Sequence, residues 1–337
     1  MSGVPWGSLV RPLARAADAV LDPSIIFSFD QTGYLRHRTQ FDDRDLDVDL
    51  TGRLCLVTGG NSGLGFATAA ALAVRGASVW ITGRNQERSE RAVEQLRASC
   101  GPAVEHRFLD LGDPDSIDAL IAELSGRAVD VLINNAGALL GERAESAWGL
   151  EMTLATNLAG HLRLTAGLLP SLKEGSRARI IWVSSGGMYA KKLNVSELEN
   201  PPDPFDGVGA YAQTKRAMVT VSRLLADSLS DSGIAVHAMH PGWAATTGVE
   251  HSLPTFWKLT RPILRSPETG ADTTVWLAVC DKAQSQAGRF WFDRKVRTEH
   301  LLGRTRHSED EEQLLWDSLH RWAGVQADVW TGFAGEK

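Results

Sequence analysis

Of the three tyrosines in the chain, Tyr34, Tyr189 and Tyr211, only Tyr211 is followed four residues later by a lysine, Lys215. On a helix, positions i and i+4 share a face, so the ammonium lies near the phenol. A positive charge there stabilises phenolate and draws its pKa from about 10 toward values useful for proton transfer. Such a pair is common and usually structural; its place, opening the helix after a fifth predicted strand, makes it a candidate for chemistry. Ser184-Ser185 ends that fifth strand, where a hydroxyl can hydrogen-bond a carbonyl oxygen. Asn157 is an amide inside an otherwise apolar helical stretch, and by itself reads as a satisfied core residue.

A second constellation precedes it. Thr58-Gly59-Gly60-Asn61-Ser62-Gly63-Leu64-Gly65 follows the first predicted strand and opens a helix. A pyrophosphate needs backbone N–H groups aimed at it and no Cβ in the way, which glycines at a strand-to-helix turn supply. A glycine pattern alone is weak, but the strand before it and helix after it are what a dinucleotide site demands. An NAD site usually carries an acid about 20 residues further on for the ribose 2′-hydroxyl. Here the second strand ends in Thr82-Gly83-Arg84-Asn85, with a guanidinium instead of an acid. Arg84 can clamp a 2′-phosphate, so NADP(H) is expected in preference to NAD(H); the alternative is a surface arginine paired with Glu87 or Glu90. Asp110, followed by Leu111, ends the third strand and suits an adenine amino group, or else caps the next helix. Asn134-Asn135-Ala136-Gly137 ends the fourth strand with small residues and amides that can bridge backbone to cofactor, unless it is an ordinary turn.

The elements that must position these residues alternate. Strand-like runs at Leu54–Thr58, Ser78–Thr82, Val104–Asp110, Val129–Asn134, Arg179–Ser185, Ile234–His240 and Gly288–Phe292 interleave with helical stretches. The helices are read at Leu64–Arg75, Gln86–Ala98, Pro114–Leu124, Trp148–Leu169, Tyr211–Ser230 and Pro267–Cys280. Continuous apolar strands separated by helices imply right-handed crossovers and an α/β, doubly wound parallel sheet covered on both faces. Of 337 residues, 43% are hydrophobic and 23% charged, enough for a real core. A formal charge of −6 without a basic block argues against a nucleic-acid partner. No apolar run reaches the ~20 residues of a membrane span. Arg11 and Arg15 interrupt any signal-peptide core. Cys55, Cys100 and Cys280 are odd in number and far apart, and nine histidines show no ligand spacing, so no disulfide framework or metal is expected. A cytoplasmic location follows. The ends differ: residues 1–50 form an N-terminal extension with a weakly amphipathic stretch (Leu9, Leu13, Ala17, Leu21). Residues 304–337 form a tail whose Ser308 and Glu311 have capping-box spacing, with Leu315, Leu319 and Trp322 on one face. Both ends are expected to dock as short helices; a membrane-surface role for residues 8–22 is the weaker alternative, since that stretch is not strongly basic.

Taken together, the motifs resemble those of the short-chain dehydrogenase/reductase family, over about residues 50–303. The match covers the Thr-Gly-x-x-x-Gly-x-Gly turn, Asp110, Asn-Asn-Ala-Gly, Asn157, Ser185, Tyr-x-x-x-Lys, and Pro241-Gly242 followed by Thr246. Ser184-Ser185-Gly186-Gly187-Met188, His240-Pro241-Gly242-Trp243 and Gly288-Arg289-Phe290 resemble a narrower branch. The resemblance implies a Rossmann fold over residues 51–303 and hydride transfer between nicotinamide and a carbonyl or alcohol. It implies Tyr211 as general acid or base, Lys215 lowering its pKa and binding the nicotinamide ribose, and Ser185 rather than Ser184 on the substrate oxygen. It also implies a proton relay through Asn157, and Pro241, Gly242 and Thr246 near the carboxamide. Pairing into a homodimer or homotetramer through the helices bearing Asn157 and Tyr211 is implied as well. The 26-residue gap from Ser185 to Tyr211 is longer than in many members, so residues 186–210 are expected to shape the substrate pocket. Residues 243–266, with Trp243, Phe256 and Trp257, are the expected other wall, fitting a bulky apolar carbonyl or alcohol. The alternative from another class is a cofactor-binding scaffold or redox sensor without chemistry.

Overall fold

The computed structural model describes residues 18, 21–22, 25–175, 177–245, 250, 252 and 254–330. Leu9, Leu13, Ala17, most of the segment 8–22, and Thr246 lie outside the described residues. Eight strands form one sheet: β1 Leu54–Val57, β2 Ser78–Gly83, β3 Val104–Phe108, β4 Val131–Asn134, β5 Arg179–Val183, β6 Ala235–Met239, β7 Phe290–Phe292 and β8 Lys295–Val296. Their order is β3-β2-β1-β4-β5-β6-β7-β8. Every pairing is parallel except β7 with β8.

Period-two alternation divides the strand residues between two cores. Leu56, Trp80, Leu132, Ile180 and Trp182 bury one face under the helices that follow β3, β4 and β5. Val57, Ile81, Ile133, Ile181 and Val183 bury the other, under helices Gly63–Ala73, Gln86–Cys100 and Pro267–Val279. The strand order reverses between β1 and β4, which opens a crevice at their carboxyl ends where doubly wound sheets take ligands.

Two helices depart from expectation in ways that matter to the site. In place of one helix over Trp148–Leu169, the chain forms Met152–Leu154, a π turn at Ala155–Ala159, and Gly160–Gly167. The expected Tyr211–Ser230 helix is Gly207–Ser228, because Asp206 accepts from the Gly209 N–H and caps it earlier. Tyr211 therefore sits inside the helix, not at its mouth. Helices Ile25–Phe29 and Gln31–Arg38 are short, as expected of the N-terminal extension, whereas strand β8 has no counterpart in the sequence reading.

The tail forms the expected helix, Glu309–Ala323, with Ser308 accepting from Glu311 N–H and with Leu315, Leu319 and Trp322 buried. The Glu311 carboxylate does not close a capping box. Its Oε1 accepts from Val195 N–H at 2.8 Å. This helix packs across Gly160–Gly167 and Gly207–Ser228, pinned by Arg223 to Glu312 (2.5 Å) and by Arg163 to the Ala323 carbonyl (3.0 Å).

The described part of the N-terminal extension is tied down by charge. His37, fully buried, sits between Asp22 (2.7 Å) and Asp293 (2.5 Å). Asp18, Asp22 and His37 lie close enough to suggest a metal cluster. Each already has partners, however: Arg36 and Gln40 on Asp18, Arg36 and Arg297 on Asp22, and Asp293 on His37. The group is therefore an ion network. Burial opposes the imidazolium, but the two carboxylates outweigh it and raise the His37 pKa. Hydrogen bonds and charge from His37 and neighbouring arginines outweigh burial at Asp22 and Asp293, which fall to about 2 and stay ionised. A raised histidine pKa contributes stability that is complete below its unfolded value of about 6.5 and is lost as pH rises through the folded value. Thermal unfolding followed from roughly pH 6 to 9 should show a steeper loss for the parent than for His37→Gln. Parallel curves would refute the role assigned to this imidazole.

Candidate active site

Two adjoining cavities, each of about 370 Å³, open along the carboxyl edge of the sheet and share Leu64, Asn135 and Gly137. The first is lined by Gly59, Asn61, Ser62, Gly63, Leu64 and Gly65 from the loop after β1, by Arg84 after β2, and by Asp110 and Leu111 after β3. Asn135, Ala136 and Gly137 after β4 complete it. The glycines are sterically required. A Cβ on Gly65 would lie 2.4 Å from the Gly59 carbonyl oxygen and 2.6 Å from Asn135 Nδ2, and Gly59 has φ +66°. The Asn135 amide donates to the Thr58 carbonyl (2.8 Å), so it braces the loop while facing the cleft.

Thr58 is placed differently from the other residues expected to bind cofactor. It is fully buried behind the cavity, and its Oγ1 accepts from the Asn135 and Ala136 N–H groups. Thr58 therefore holds two loops together. The sequence reading missed its partner, His161. Burial drops the His161 pKa to about 3, so its ring is neutral. Nδ1 must donate to the Asn157 carbonyl (3.1 Å), which can only accept, leaving Nε2 to accept from Thr58 Oγ1 (3.0 Å).

Arg84 lies 3.8 Å from Asp110 and is well exposed in the cleft. It does not pair with Glu87, which pairs with Arg91, or with Glu90, which accepts from Gln86. Asp110 does not cap the following helix either; Asp113 does. Asn85 and Arg88 also line this cavity and were missed. A signal existed: Asn85 is the N-cap of the Gln86–Cys100 helix, which puts Arg88 in its first turn beside Arg84.

The second cavity is lined by Ser184, Ser185, Tyr211, Lys215, Pro241 and Gly242, with apolar contributions from Leu139, Val208, Trp243 and Ala244. The two serines are separated by their partners. Ser184 Oγ donates to the Lys215 carbonyl (2.7 Å), whereas Ser185 Oγ accepts from the Gly187 N–H (3.3 Å) and lines the cavity with Tyr211. Lys215 Nζ lies 5.4 Å from the Tyr211 ring centroid and donates to the Val183 carbonyl (2.8 Å). Asn157 lies on the π turn, a distortion that recurs at functional sites. The turn aims its amide at the loop after β4: Oδ1 accepts from Ala138 N–H (2.7 Å), and Nδ2 donates to the Ala138 carbonyl (3.0 Å) and Thr214 Oγ1 (3.0 Å).

The electrostatics correct one expectation. Burial raises the Tyr211 pKa, with only the Ser185 hydrogen bond pulling it down, and burial lowers Lys215 to about 7. Desolvation penalises both charged forms and outweighs the expected depression of the phenol by its lysine.

The walls also differ from expectation. Of residues 186–210, Gly187 and Val208 line this cavity. The middle of that segment packs on the tail, through Val195 to Glu311 and Glu199 to Arg321 (3.1 Å). Trp243 reaches the cavity and Trp257 does not line it; the Phe256 side chain lies outside the described residues. No helix among the described residues is long and apolar enough to cross a membrane.

Comparison with known proteins agrees with this geometry. The family model described as short chain dehydrogenase matches residues 53–255. Human "Dehydrogenase/reductase SDR family member 12" is 40% identical over 88% of this chain and 94% of its own. Bovine "Retinol dehydrogenase 12" is 34% identical over 83% and 89%. Among solved structures, an uncharacterized protein from Mycobacterium paratuberculosis superposes with a TM-score of 0.66 at 27% identity, covering 83% of this chain and 96% of that one. The RhlG complex of Pseudomonas aeruginosa holds NADP (TM-score 0.57, 26% identity, covering 72% and 94%). The 3-ketoacyl-(acyl-carrier-protein) reductase complex of Brucella melitensis holds NADH (TM-score 0.57, 26% identity, covering 72% and 96%). With the glycine cradle, the switch-point crevice and the Ser–Tyr–Lys cluster all in place, this chain belongs to the short-chain dehydrogenase/reductase family of nicotinamide-dependent oxidoreductases.

Proposed function

We propose that the protein is an NADP(H)-dependent oxidoreductase acting on a carbonyl or alcohol carried by a bulky apolar molecule. The observation that carries this reading is the convergence of Ser185 and Tyr211 on one cavity, with Lys215 behind them and the glycine-lined cavity alongside. When bound, the nicotinamide supplies the hydride. The loop Gly59–Gly65 would hold the pyrophosphate, Arg84 and Arg88 the 2′-phosphate, Asp110 the adenine, and Lys215 the nicotinamide ribose.

Ser185 orients the substrate oxygen and Tyr211 gives it a proton in reduction or takes one in oxidation. Asn157 would anchor the relay that reprotonates Lys215. The raised Tyr211 pKa keeps the phenol protonated at neutral pH, which favours its use as an acid. Lys215 gains its charge as pH falls through about 7, and that charge stabilises the phenolate left by proton transfer. Leu139, Val208, Trp243 and Ala244 make the far side of the cavity apolar, which supports a lipid-, retinoid- or steroid-like substrate.

A carbonyl and alcohol panel followed by NADPH absorbance tests this reading. Reduction is expected to gain rate as pH falls through about 7, and oxidation to gain rate toward alkaline pH. Tight NADPH binding with no hydride transfer across the panel would favour the scaffold alternative. A homo-oligomer, if formed, would use a surface other than the helices bearing Asn157 and Tyr211, because the tail helix packs across them. A cytoplasmic location fits the free, mostly buried cysteines.

A further inference from the structure

We propose that the N-terminal extension is a clamp on the Pro241–Gly242 turn, and that Phe29, Arg265 and Asp293 are positioning residues for the nicotinamide end of the cofactor. This rests on the cofactor reading above, with Pro241 and Gly242 lining the second cavity where the family resemblance implies the nicotinamide carboxamide.

The clamp is made of main chain, one ring and one buried ion pair. After β6 the Trp243 N–H donates to the Phe29 carbonyl (2.8 Å), and the Trp243 carbonyl accepts from Arg265 N–H (2.8 Å). The turn is thus held between the N-terminal segment on one side and the strand-like contact of Ala244 with Arg265 on the other. The Arg265 guanidinium spans both. Nε donates to the Asp30 carbonyl (3.1 Å) and Nη2 to the Ser28 carbonyl (2.9 Å), while both Nη groups pair with Asp293 (2.6 and 2.8 Å). Arg265 and Asp293 are each 1% exposed. A bidentate pair shielded from water fixes orientation as well as position.

The fit against the turn leaves no slack. A Cβ on Gly242, whose φ is +74°, would lie 2.5 Å from Arg265 Nε and 2.7 Å from the Phe29 carbonyl oxygen. The Phe29 ring fills the space between the two loops that border the chemistry. It meets His240 edge-on at 4.4 Å, and a Cβ on Gly186 would lie 2.6 Å from its Cε2. One side chain therefore buttresses both the loop that starts at Ser185 and the turn that starts at His240.

The far anchor is strained. Asp293 and Arg294 form the two-residue turn between β7 and β8 with φ of +49° and +55°, a conformation that favours Gly or Asn. Such strain persists where surrounding contacts over-determine it. Here those contacts are Arg265 and His37 on Asp293, and Asp272 on Arg294 (2.7 Å). Asp293 suits the first position of such a turn and places its carboxylate behind Arg265, while Arg294 is the residue held against its preference.

The test compares two ligands on the full-length chain: NADPH, and adenosine 2′,5′-bisphosphate, which lacks the nicotinamide half. Phe29→Leu and Arg265→Lys are used because they keep the core volume or the charge; Phe29→Ala is the stronger variant if it folds. Each should weaken NADPH at least about tenfold and shift the emission of bound NADPH, while binding of the fragment stays within about twofold, as expected for loss of orientation at one end of a ligand. Equal weakening of both ligands means a general structural role and overturns the proposal, as does no change in either. If the parent chain binds the fragment as tightly as NADPH and leaves NADPH emission unaltered, the turn does not face the nicotinamide, and the reading beneath the proposal falls with it.

Discussion

Replacing Tyr211 with phenylalanine should lower turnover by about 10²- to 10⁴-fold, the range spanned by a positioned general acid or base, while NADPH affinity stays within about twofold of the parent. The ring is half-buried on the Gly207–Ser228 helix and lines the cavity, so the substitution keeps its packing and removes one hydroxyl. That hydroxyl shares the cavity with Ser185, and Ser184 and Lys215 beside it are engaged elsewhere. Ser184 is committed to the Lys215 carbonyl, and Lys215 Nζ donates to the Val183 carbonyl. Stopped-flow hydride transfer together with NADPH fluorescence titration separates the two quantities. Turnover equal to that of the parent protein would exclude Tyr211 from the proton step.

The second large effect concerns cofactor choice. Arg84→Asp should raise the KM for NADPH by about 10- to 100-fold, the span of one hydrogen bond to a charged group, and leave NADH nearly unchanged. Arg84 stands at the carboxyl end of β2 with its guanidinium 3.8 Å from Asp110 and open to the cleft. An aspartate there would put a second carboxylate beside Asp110 and repel a 2′-phosphate, while it could still accept from a ribose 2′-hydroxyl. Arg88 remains in the variant, so some NADPH binding should survive, and the double variant with Arg88→Ala should lose more. The comparison requires initial rates with both cofactors at one ionic strength, because exposed charges are screened by salt. A parent protein that prefers NADH would contradict the reading of Arg84.

Several site features were legible because each is local. The glycine turn, the Arg84 position and the Tyr211–Lys215 spacing depend on strand-turn-helix order and on helix periodicity, both written in consecutive residues. Asn157 was legible only as a polar residue in an apolar helix; that it sits on a π turn depends on Ala138 and Thr214, brought to it by the fold. His161 carried no signal as a site residue, since its side-chain partner Thr58 lies just after β1, more than 100 positions away. The segment 186–210 reads as a pocket wall from its length and its family resemblance, yet its middle is the seat of the tail helix, a contact between residues more than 100 positions apart.

By itself the sequence determined the doubly wound sheet, the place of the crevice and the kinds of group that line it, because apolar periodicity and turn chemistry act over a few residues. Only the tertiary structure sets the direction in which Tyr211 and Lys215 are shifted, since desolvation is the first cause at both. It alone decided what the extra ends do. The tail covers the helices that carry Asn157 and Tyr211, and the N-terminal segment bears on the turn after β6 through an ion pair assembled from Arg265 and Asp293. Charges that distant in sequence meet only when the sheet is complete, and a buried pair has energetic meaning only in the water-free setting the fold creates.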